Sequence, residues 1–228
     1  MNAIAIITAR GGSKRIPRKN IKEFLGKPII EYSIDAALQS KLFEEVMVST
    51  DDEEIADIAR KAGAVVPFYR SANTSNDFAT TADVILEVLA EYEKLGQRFE
   101  YVCCLYPTAP FIKAKRLEEG MLHLEREGCD GVIPIVAYSF PPQRSVVVRE
   151  GRIKANSPDD MRKRSQDLET YYHDSGQFYC VRVDAFVREK SLMMENTQPI
   201  ILSELEVQDI DTQKDWEVAE LKYQLMNG

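Results

Sequence analysis

Two groups of residues in this sequence have the types and spacing for chemistry, and they lie near its opposite ends. The first is Thr8-Ala9-Arg10-Gly11-Gly12-Ser13-Lys14-Arg15-Ile16-Pro17-Arg18-Lys19-Asn20, directly after the apolar run Ala3 to Ile7. From Arg10 to Lys22 there are six basic side chains and no acidic one, in a chain whose formal charge is -8. Gly11 and Gly12 let backbone N–H groups approach a phosphate, and such groups at a loop or helix start are natural anion donors. The second group is Asp209-Ile210-Asp211. Two carboxylates two positions apart on an extended strand project to one face. That suits a hard cation such as Mg²⁺, which takes one or two protein carboxylates together with phosphate oxygens and waters.

Each group also has a plainer reading. A charge run is commonly a solvated loop, but here the glycine pair and its place after a strand favour an anion site. The loop is not a dinucleotide fingerprint, since GxGxxG is absent, and Gly12-Ser13-Lys14 lacks the Gly-Lys order of a Walker loop. Asp211 stands where a helix cap belongs, yet Thr212 can cap, and a cap leaves Asp209 unexplained. His173-Asp174 beside Ser175 suggests a hydrolase, but no GxSxG elbow is present, so polar substrate contacts are the better reading. Arg70 is either a surface charge or a group that reaches a base or phosphates. His123 reads as solvated and Trp216 as a packing residue.

These residues need a scaffold, and the pattern supplies one. The chain has 228 residues, 44% hydrophobic and 29% charged, enough for one substantial core and typical of globular proteins. Its 37 acidic against 29 basic residues argue against a broad nucleic-acid surface. No segment approaches the length of a membrane span and the apolar start is too short for a signal sequence, so a cytoplasmic protein with no membrane partner is expected. Cys103, Cys104, Cys129 and Cys180 show no metal-binding spacing and read as free thiols.

Strand, loop and helix alternate. Ala3–Ile7 and Glu45–Ser49 read as buried strands. A helix after Pro28 carries Ile30, Ile34, Ala37 and Leu38 on one face, and Asp51 or Asp52 caps a second that ends at Gly63. Val65–Tyr69 reads as a third strand, irregular at Pro67. A polar loop, 70–80, leads to a helix with Val84, Ile85, Val88, Leu89 and Tyr92. Tyr101–Tyr106 is the most plainly buried strand, ending at Pro107-Thr108-Ala109-Pro110. A helix from about Ala114 to Glu127 and the strand Gly131–Val136 follow. Residues 138–170, with a hairpin turning at Glu150-Gly151, form an excursion from one single domain. Gln177–Val183 and Val207–Asp211 read as strands, and Thr212 with Asp215 caps a last helix from about Lys214 to Met226. The alternation predicts an α/β fold with a mainly parallel sheet and helices on both faces. Ligands of such sheets bind beyond the strand carboxyl ends, where the basic loop, Ser49–Asp52, Tyr106–Pro110 and the Asp209/Asp211 segment fall.

With these elements placed, the sequence resembles the acylneuraminate cytidylyltransferases, the CMP-sialic acid synthetases, over essentially its whole length. Ala9–Lys14 with Lys19-Asn20 matches the family's first motif, and Val48–Asp52, Arg70, Pro107–Pro110 and Asp209–Asp211 match later ones in order. Tyr101–Cys104, Arg164–Leu168 and His173–Tyr179 look most like the pseudaminic acid members. The resemblance implies a Rossmann-like nucleotide-diphospho-sugar transferase fold with a small dimerisation arm, 138–170. It implies CMP transfer from CTP to the anomeric hydroxyl of a nine-carbon 2-keto sugar acid (a nonulosonic acid), releasing pyrophosphate.

Carried over by position, Ala9, Arg10, Gly11, Gly12, Ser13, Lys14, Lys19, Asn20, Arg70, Ala79, Thr81, Pro107 and Thr108 would contact CTP. Arg10, Lys19 and Asp211 would be catalytic, and Asp209 with Asp211 would hold Mg²⁺. Tyr106, Arg164, Gln166, His173, Asp174, Gln177 and Tyr179 would meet the sugar, and a homodimer is implied. Tyr106 stands where neuraminate enzymes commonly have Gln, and Ser175-Gly176-Gln177 where they have Asn-Gly-Ala, which points away from N-acetylneuraminate. Legionaminate, neuraminate and, more remotely, Kdo enzymes remain alternatives, as does a non-catalytic nucleotide-binding module. The missing glycine fingerprint disfavours a Rossmann dehydrogenase.

Overall fold

The structure is a computed structural model that describes residues 1–125 and 128–227. β1 (Ala3–Thr8) runs into the basic loop, which ends in a 3-10 turn over Lys19–Ile21 and a short hairpin, β2 (Glu23–Phe24) and β3 (Lys27–Pro28). Next come α1 (Ile29–Ser40), β4 (Glu45–Ser49), α2 (Glu53–Lys61), α3 (Ala72–Ser75), α4 (Thr81–Lys94), β5 (Tyr101–Leu105), α5 (Ala114–Leu124) and β6 (Gly131–Ala137). An arm carries the hairpin β7 (Val146–Arg149) and β8 (Arg152–Ala155). The chain ends with β9 (Tyr172–Asp174), β10 (Phe178–Arg182), α6 (Val183–Glu189), β11 (Thr197–Leu202) and α7 (Gln213–Asn227).

The main sheet has the order β11-β6-β10-β5-β1-β4, with β9 beside β6. β4, β1 and β5 are parallel neighbours, as are β11 and β6, while β10 runs antiparallel to both strands it joins. β1 shows no polar alternation because both its faces are covered. Ala3, Ala5 and Ile7 pack with Ile30 and Ile34 of α1, Ile55 of α2 and Leu117 of α5. Ile4 and Ile6 pack with Ile85 and Val88 of α4 and Phe186 of α6. Asp52 caps α2 by accepting the N–H of Ile55, and Thr80 with Asp83 forms a capping box on α4.

Several elements depart from the sequence expectation. Val65–Tyr69 makes only an isolated parallel bridge, Val65 to Met47, because Pro67 has no N–H to continue a ladder. Leu38 is exposed at the margin of the apolar face of α1. The expected end of α5 at Glu127 lies outside the described residues. Val183 starts α6 rather than ending a strand, and Val207–Asp211 runs without a ladder partner. β9, α6 and β11 were not anticipated. Pro134 explains the split between β9 and β10. β10 pairs with β6 at Gly131 and Val132, β9 pairs at Ile135 to Ala137, and between them Pro134 offers only its carbonyl, taken by the N–H of Ser175. Ser175-Gly176-Gln177 is thereby folded out beside Tyr106, whose N–H bonds Gln177 O at 2.8 Å.

Candidate active site

Beyond the carboxyl ends of β1 and β5 lies a cleft of about 430 Å³. Its walls are Thr8, Arg10, Ser13, Lys14, Arg15, Lys19 and Asn20 of the basic loop, Tyr106-Pro107-Thr108 after β5, and Asp211. The two ends of the sequence therefore meet at one site. They are fastened by a small separate core in which Ile16 and Ile210, each set among charged residues, pack with Phe24, Ile29, Phe111 and Trp216. Burying these side chains fixes the backbone that presents Arg15 and Lys19 on one side and Asp209 and Asp211 on the other; each such burial contributes about 1.5–3 kcal/mol. Asp215 Oδ2 closes the start of α7 by accepting the N–H groups of Asp211 and Thr212.

The loop's own bonds show what each residue does. Asn20, almost fully buried, donates Nδ2 to Arg10 O at 2.8 Å and so holds the two ends of the loop together. The N–H of Gly11 goes to Asp51 Oδ1 at 2.9 Å, and a Cβ on Gly11 would lie 2.8 Å from Asp52 Oδ2. Close approach to Asp52 is thus the reason for this glycine, whereas a Cβ on Gly12 would meet open space. Arg18 is paired with Asp52 and Glu54, which raises its pKa and turns it away from the cleft. Ala9 is in the core and has only backbone to offer a ligand. Arg70 donates to Ser49 O at 2.7 Å behind the cleft, and burial lowers its pKa. Ala79 donates its N–H to Asn76 Oδ1, and Thr81 faces the next cavity.

The charges in the cleft are balanced within the chain. Asp77 accepts from Arg10 at 2.7 Å and from Lys14, and Arg15 donates to Asp211 Oδ1 at 2.7 Å. Lys19 Nζ donates to Ile210 O at 2.6 Å and stands 3.8 Å from Asp211. Burial lowers the pKa of Lys19, opposed by the charges of Asp211 and Asp209. Asp209 is shifted the other way: desolvation first, then the charge of Asp211, raises its pKa. Asp209 has no ion-pair partner among the described residues. Of the two carboxylates only Asp211 lines the cleft, while Asp209 opens on the neighbouring hollow with His173, so the sequence expectation that both face one site is met only in part; a divalent cation at Asp211 would be completed mainly by ligand phosphates and water. The two carboxylates do not form a complete protein cage: no cluster of three or more His, Cys, Asp or Glu suited to a metal occurs among the described residues.

A second cavity, about 370 Å³, shares Tyr106 with the first and contains Thr81, Asp174, Tyr179, Lys190 and Met193. Tyr106 OH lies 3.3 Å from Thr81 Oγ1, and Tyr179 donates to Asp174 Oδ2 at 2.6 Å. Burial raises both tyrosine pKa values, so both hydroxyls stay protonated. His173 faces Tyr138 in a third hollow, which also contains Asp209. Gln177 is not free to meet a ligand, because it is 3% exposed and donates Nε2 to Glu206 O at 2.5 Å. Arg164 and Gln166 lie on the arm, where Arg164 pairs with Asp167, and neither lines the cleft or the cavity beside Tyr106.

Sequence reasoning missed Asp77, Lys190 and the buckle in which Arg116 holds Glu206, just before the Asp209 segment. Only proximity in space marks them. A second carboxylate after Arg70 or a salt bridge from α5 has no signature in one sequence.

A mostly parallel α/β sheet with a cation-lined cleft at its strand carboxyl ends defines a protein built to bind a phosphorylated ligand. The chain belongs to the cytidylyltransferase family, whose profile, described as Cytidylyltransferase, matches residues 4–220. It is 38% identical over 226 residues to the pseudaminic acid cytidylyltransferase of Campylobacter jejuni subsp. jejuni serotype O:2, covering 99% of this chain and 97% of that one. It is 33% identical over 229 residues to the CMP-N,N'-diacetyllegionaminic acid synthase of Legionella pneumophila, covering 96% and 95% of the two chains. Among solved structures, a CMP:2-keto-3-deoxy-manno-octonic acid synthetase complexed with CTP superposes with a TM-score of 0.73 at 20% identity, covering 99% of this chain and 100% of that one. The fold is that of the nucleotide-diphospho-sugar transferases, as the motif resemblance implied, and the chain is a nucleotidyltransferase. Among the described residues no helix is long and apolar enough to cross a membrane.

Proposed function

We propose that this enzyme transfers CMP from CTP to the anomeric hydroxyl of pseudaminic acid, giving CMP-pseudaminic acid and pyrophosphate. The observation that carries this reading is the convergence of Arg10, Lys14, Arg15 and Lys19 with Asp211 in one cleft at the strand carboxyl ends. The long match to the Campylobacter jejuni enzyme gives the sugar. The hydroxyl oxygen forms a bond to the α-phosphorus as the bond to the bridging oxygen breaks, and pyrophosphate departs. Arg10 and Lys19 neutralise charge that develops on the phosphates, the main form of catalysis available to a reaction with little covalent help from protein. Asp211 aligns the attacking hydroxyl and accepts its proton. Asp209 and Asp211 would hold Mg²⁺, whose chemistry is to neutralise phosphate oxygens. Tyr106, Asp174 and Tyr179 would face the sugar.

The same reading places the enzyme in the cytoplasm, with four free cysteines that suit a reducing compartment. It also makes the enzyme a homodimer. Support comes from the arm, where Val148 and Ile153 are 72% and 74% exposed, and from Arg164, which lines neither the cleft nor the cavity beside Tyr106. The test is pyrophosphate release by purified protein with CTP, Mg²⁺ and a panel of sugar acids. Pseudaminic acid is expected to give the highest kcat/KM. A higher value for legionaminic, N-acetylneuraminic or Kdo sugar would reassign the substrate, and no release with any of them would leave only a nucleotide-binding module.

A further inference from the structure

Arg10 and Lys14 are cleft cations that a polyphosphate would meet, yet both are engaged by one carboxylate that stands outside the cleft wall. Asp77 Oδ1 accepts from Arg10 Nη1 at 2.7 Å and Oδ2 accepts from Lys14 Nζ at 2.5 Å. Two oxygens of one group thus bridge two cations, the pattern a phosphate group adopts with basic side chains. The neighbouring residues secure this placement. Asn76 O also accepts from Arg10 at 3.2 Å, and Asn76 Oδ1 accepts the N–H groups of Phe78 at 2.8 Å and Ala79 at 3.0 Å. Asp77 has no structural task to account for it. Thr80 and Asp83 cap α4 without it, and among the described residues its only side-chain partners are the two cleft cations.

We propose that Asp77 is an internal counter-ion that competes with ligand phosphate groups for Arg10 and Lys14, so that the cleft binds phosphorylated ligands more weakly than its cations alone would allow. The proposal rests on the phosphate-binding reading of the cleft. A carboxylate tethered beside its cations competes at an effective concentration on the order of millimolar. The apparent affinity of a ligand is reduced by the fraction of molecules in which the cations are free. Two exposed ion pairs bias that fraction by a few-fold. The reduction is the same for inorganic phosphate and for pyrophosphate, since both must displace Asp77. Pyrophosphate and triphosphate groups extend past Asp77 toward Arg15 and Lys19, and those added contacts offset the displaced pairs.

The experiment titrates pyrophosphate and inorganic phosphate calorimetrically into the wild-type protein, Asp77→Asn and Glu93→Gln. Glu93→Gln removes the same charge at the far end of α4. Asp77→Asn is expected to bind pyrophosphate about fivefold more tightly, the gain that two exposed pairs allow. Inorganic phosphate should gain by the same factor, with Glu93→Gln unchanged. In turnover, KM for CTP should fall for Asp77→Asn with kcat not raised. Unchanged or weaker pyrophosphate binding by Asp77→Asn would overturn the proposal and make Asp77 an orienting group for Arg10. An equal gain in Glu93→Gln would trace the effect to net charge, and absence of binding by all three proteins would overturn it too. The titration uses neither CTP nor sugar, so its outcome stands apart from the pyrophosphate-release assay that tests cytidylyl transfer.

Discussion

The cleft and the arm are both rich in charge, but they are held together in opposite ways. In the cleft, partners come from distant parts of the chain: Arg15 and Asp211 are 196 residues apart, and Arg10 and Asp77 are 67 apart. On the arm, Arg162–Asp159, Lys163–Asp160 and Arg164–Asp167 are all pairs three residues apart. Cleft pairs exist only because the sheet and the Ile16–Ile210–Trp216 core bring their ends together. Arm pairs need no fold, and the hairpin's apolar side chains find little cover within this chain. The cleft therefore draws all its charged groups from one chain, while the arm leaves apolar side chains exposed, the feature on which the proposed homodimer rests.

The largest effect belongs to Lys19. Lys19→Ala should lower kcat/KM for CTP by about 10²–10³, the usual cost of removing a preorganised electrostatic donor, with the circular-dichroism spectrum unchanged. Loss of less than tenfold would mean that the cleft does not neutralise the phosphates through this side chain. Lys19 also sets a pH limit. It must be protonated to meet phosphate, and burial lowers its pKa. The alkaline fall of kcat/KM should therefore begin at a lower pH than an ordinary lysine would give. Lys19→Arg, charged throughout the range, should move that fall upward in whatever activity remains.

The arm is tested next by Val148→Asp combined with Ile153→Asp. If a second copy covers these residues, sedimentation should show the wild type as a dimer and the variant as a monomer. Sugar KM should rise by about tenfold or more, the effect of losing one or two polar contacts, while pyrophosphate binding in the cleft should not change. A variant that stays dimeric would remove the arm from the interface, and one that loses pyrophosphate binding would break the claim that the cleft draws all its charged groups from one chain.

The contrast also governs what was legible in the sequence. The buried parallel strands β1, β4 and β5 could be read because continuous apolar runs bounded by loops have few other interpretations, and the basic loop because its charge opposes that of the whole chain. β9 could not be read: Tyr172-His173-Asp174 is three exposed residues, and only the gap opened by Pro134 makes it a strand. Val207–Asp211 was expected as a strand, but it makes no ladder, and its buried residues Val207 and Ile210 lie three apart, one in the main core and one in the small core, so it does not alternate with a period of two. The two glycines of the loop looked equivalent, and the structure separates them. Gly11→Ala would place Cβ against Asp52, which caps α2 and holds Arg18. It should cost about 1–2 kcal/mol, a fall in Tm of about 2–8 °C. Gly12→Ala, with open space around it, should leave Tm within a degree or so. Equal effects at both positions would mean that Gly11 does not approach Asp52 as closely as described.

The smallest effect is the most specific to the metal reading. Asp209 has its folded pKa raised above the ordinary carboxylate value, by desolvation and then by Asp211. The native state therefore holds its proton more tightly than the unfolded chain does. By linkage, stability falls as pH rises from the unfolded value through the raised folded one, and at neutral pH the ionised side chain is a standing cost to the metal-free protein. Asp209→Asn removes that charge without changing shape. In chelator at pH 7 it should raise Tm slightly, by about 1–2 °C, and the gain should vanish below the carboxylate range, where Asp209 is already neutral. With Mg²⁺ and CTP present the order should reverse, because the wild type gains stability from binding and the variant loses a ligand. A variant less stable than wild type in chelator would mean that Asp209 is a structural residue. A wild type whose Tm does not respond to Mg²⁺ with CTP would take the cation away from this pair, leaving its repulsion as a property of the cleft alone.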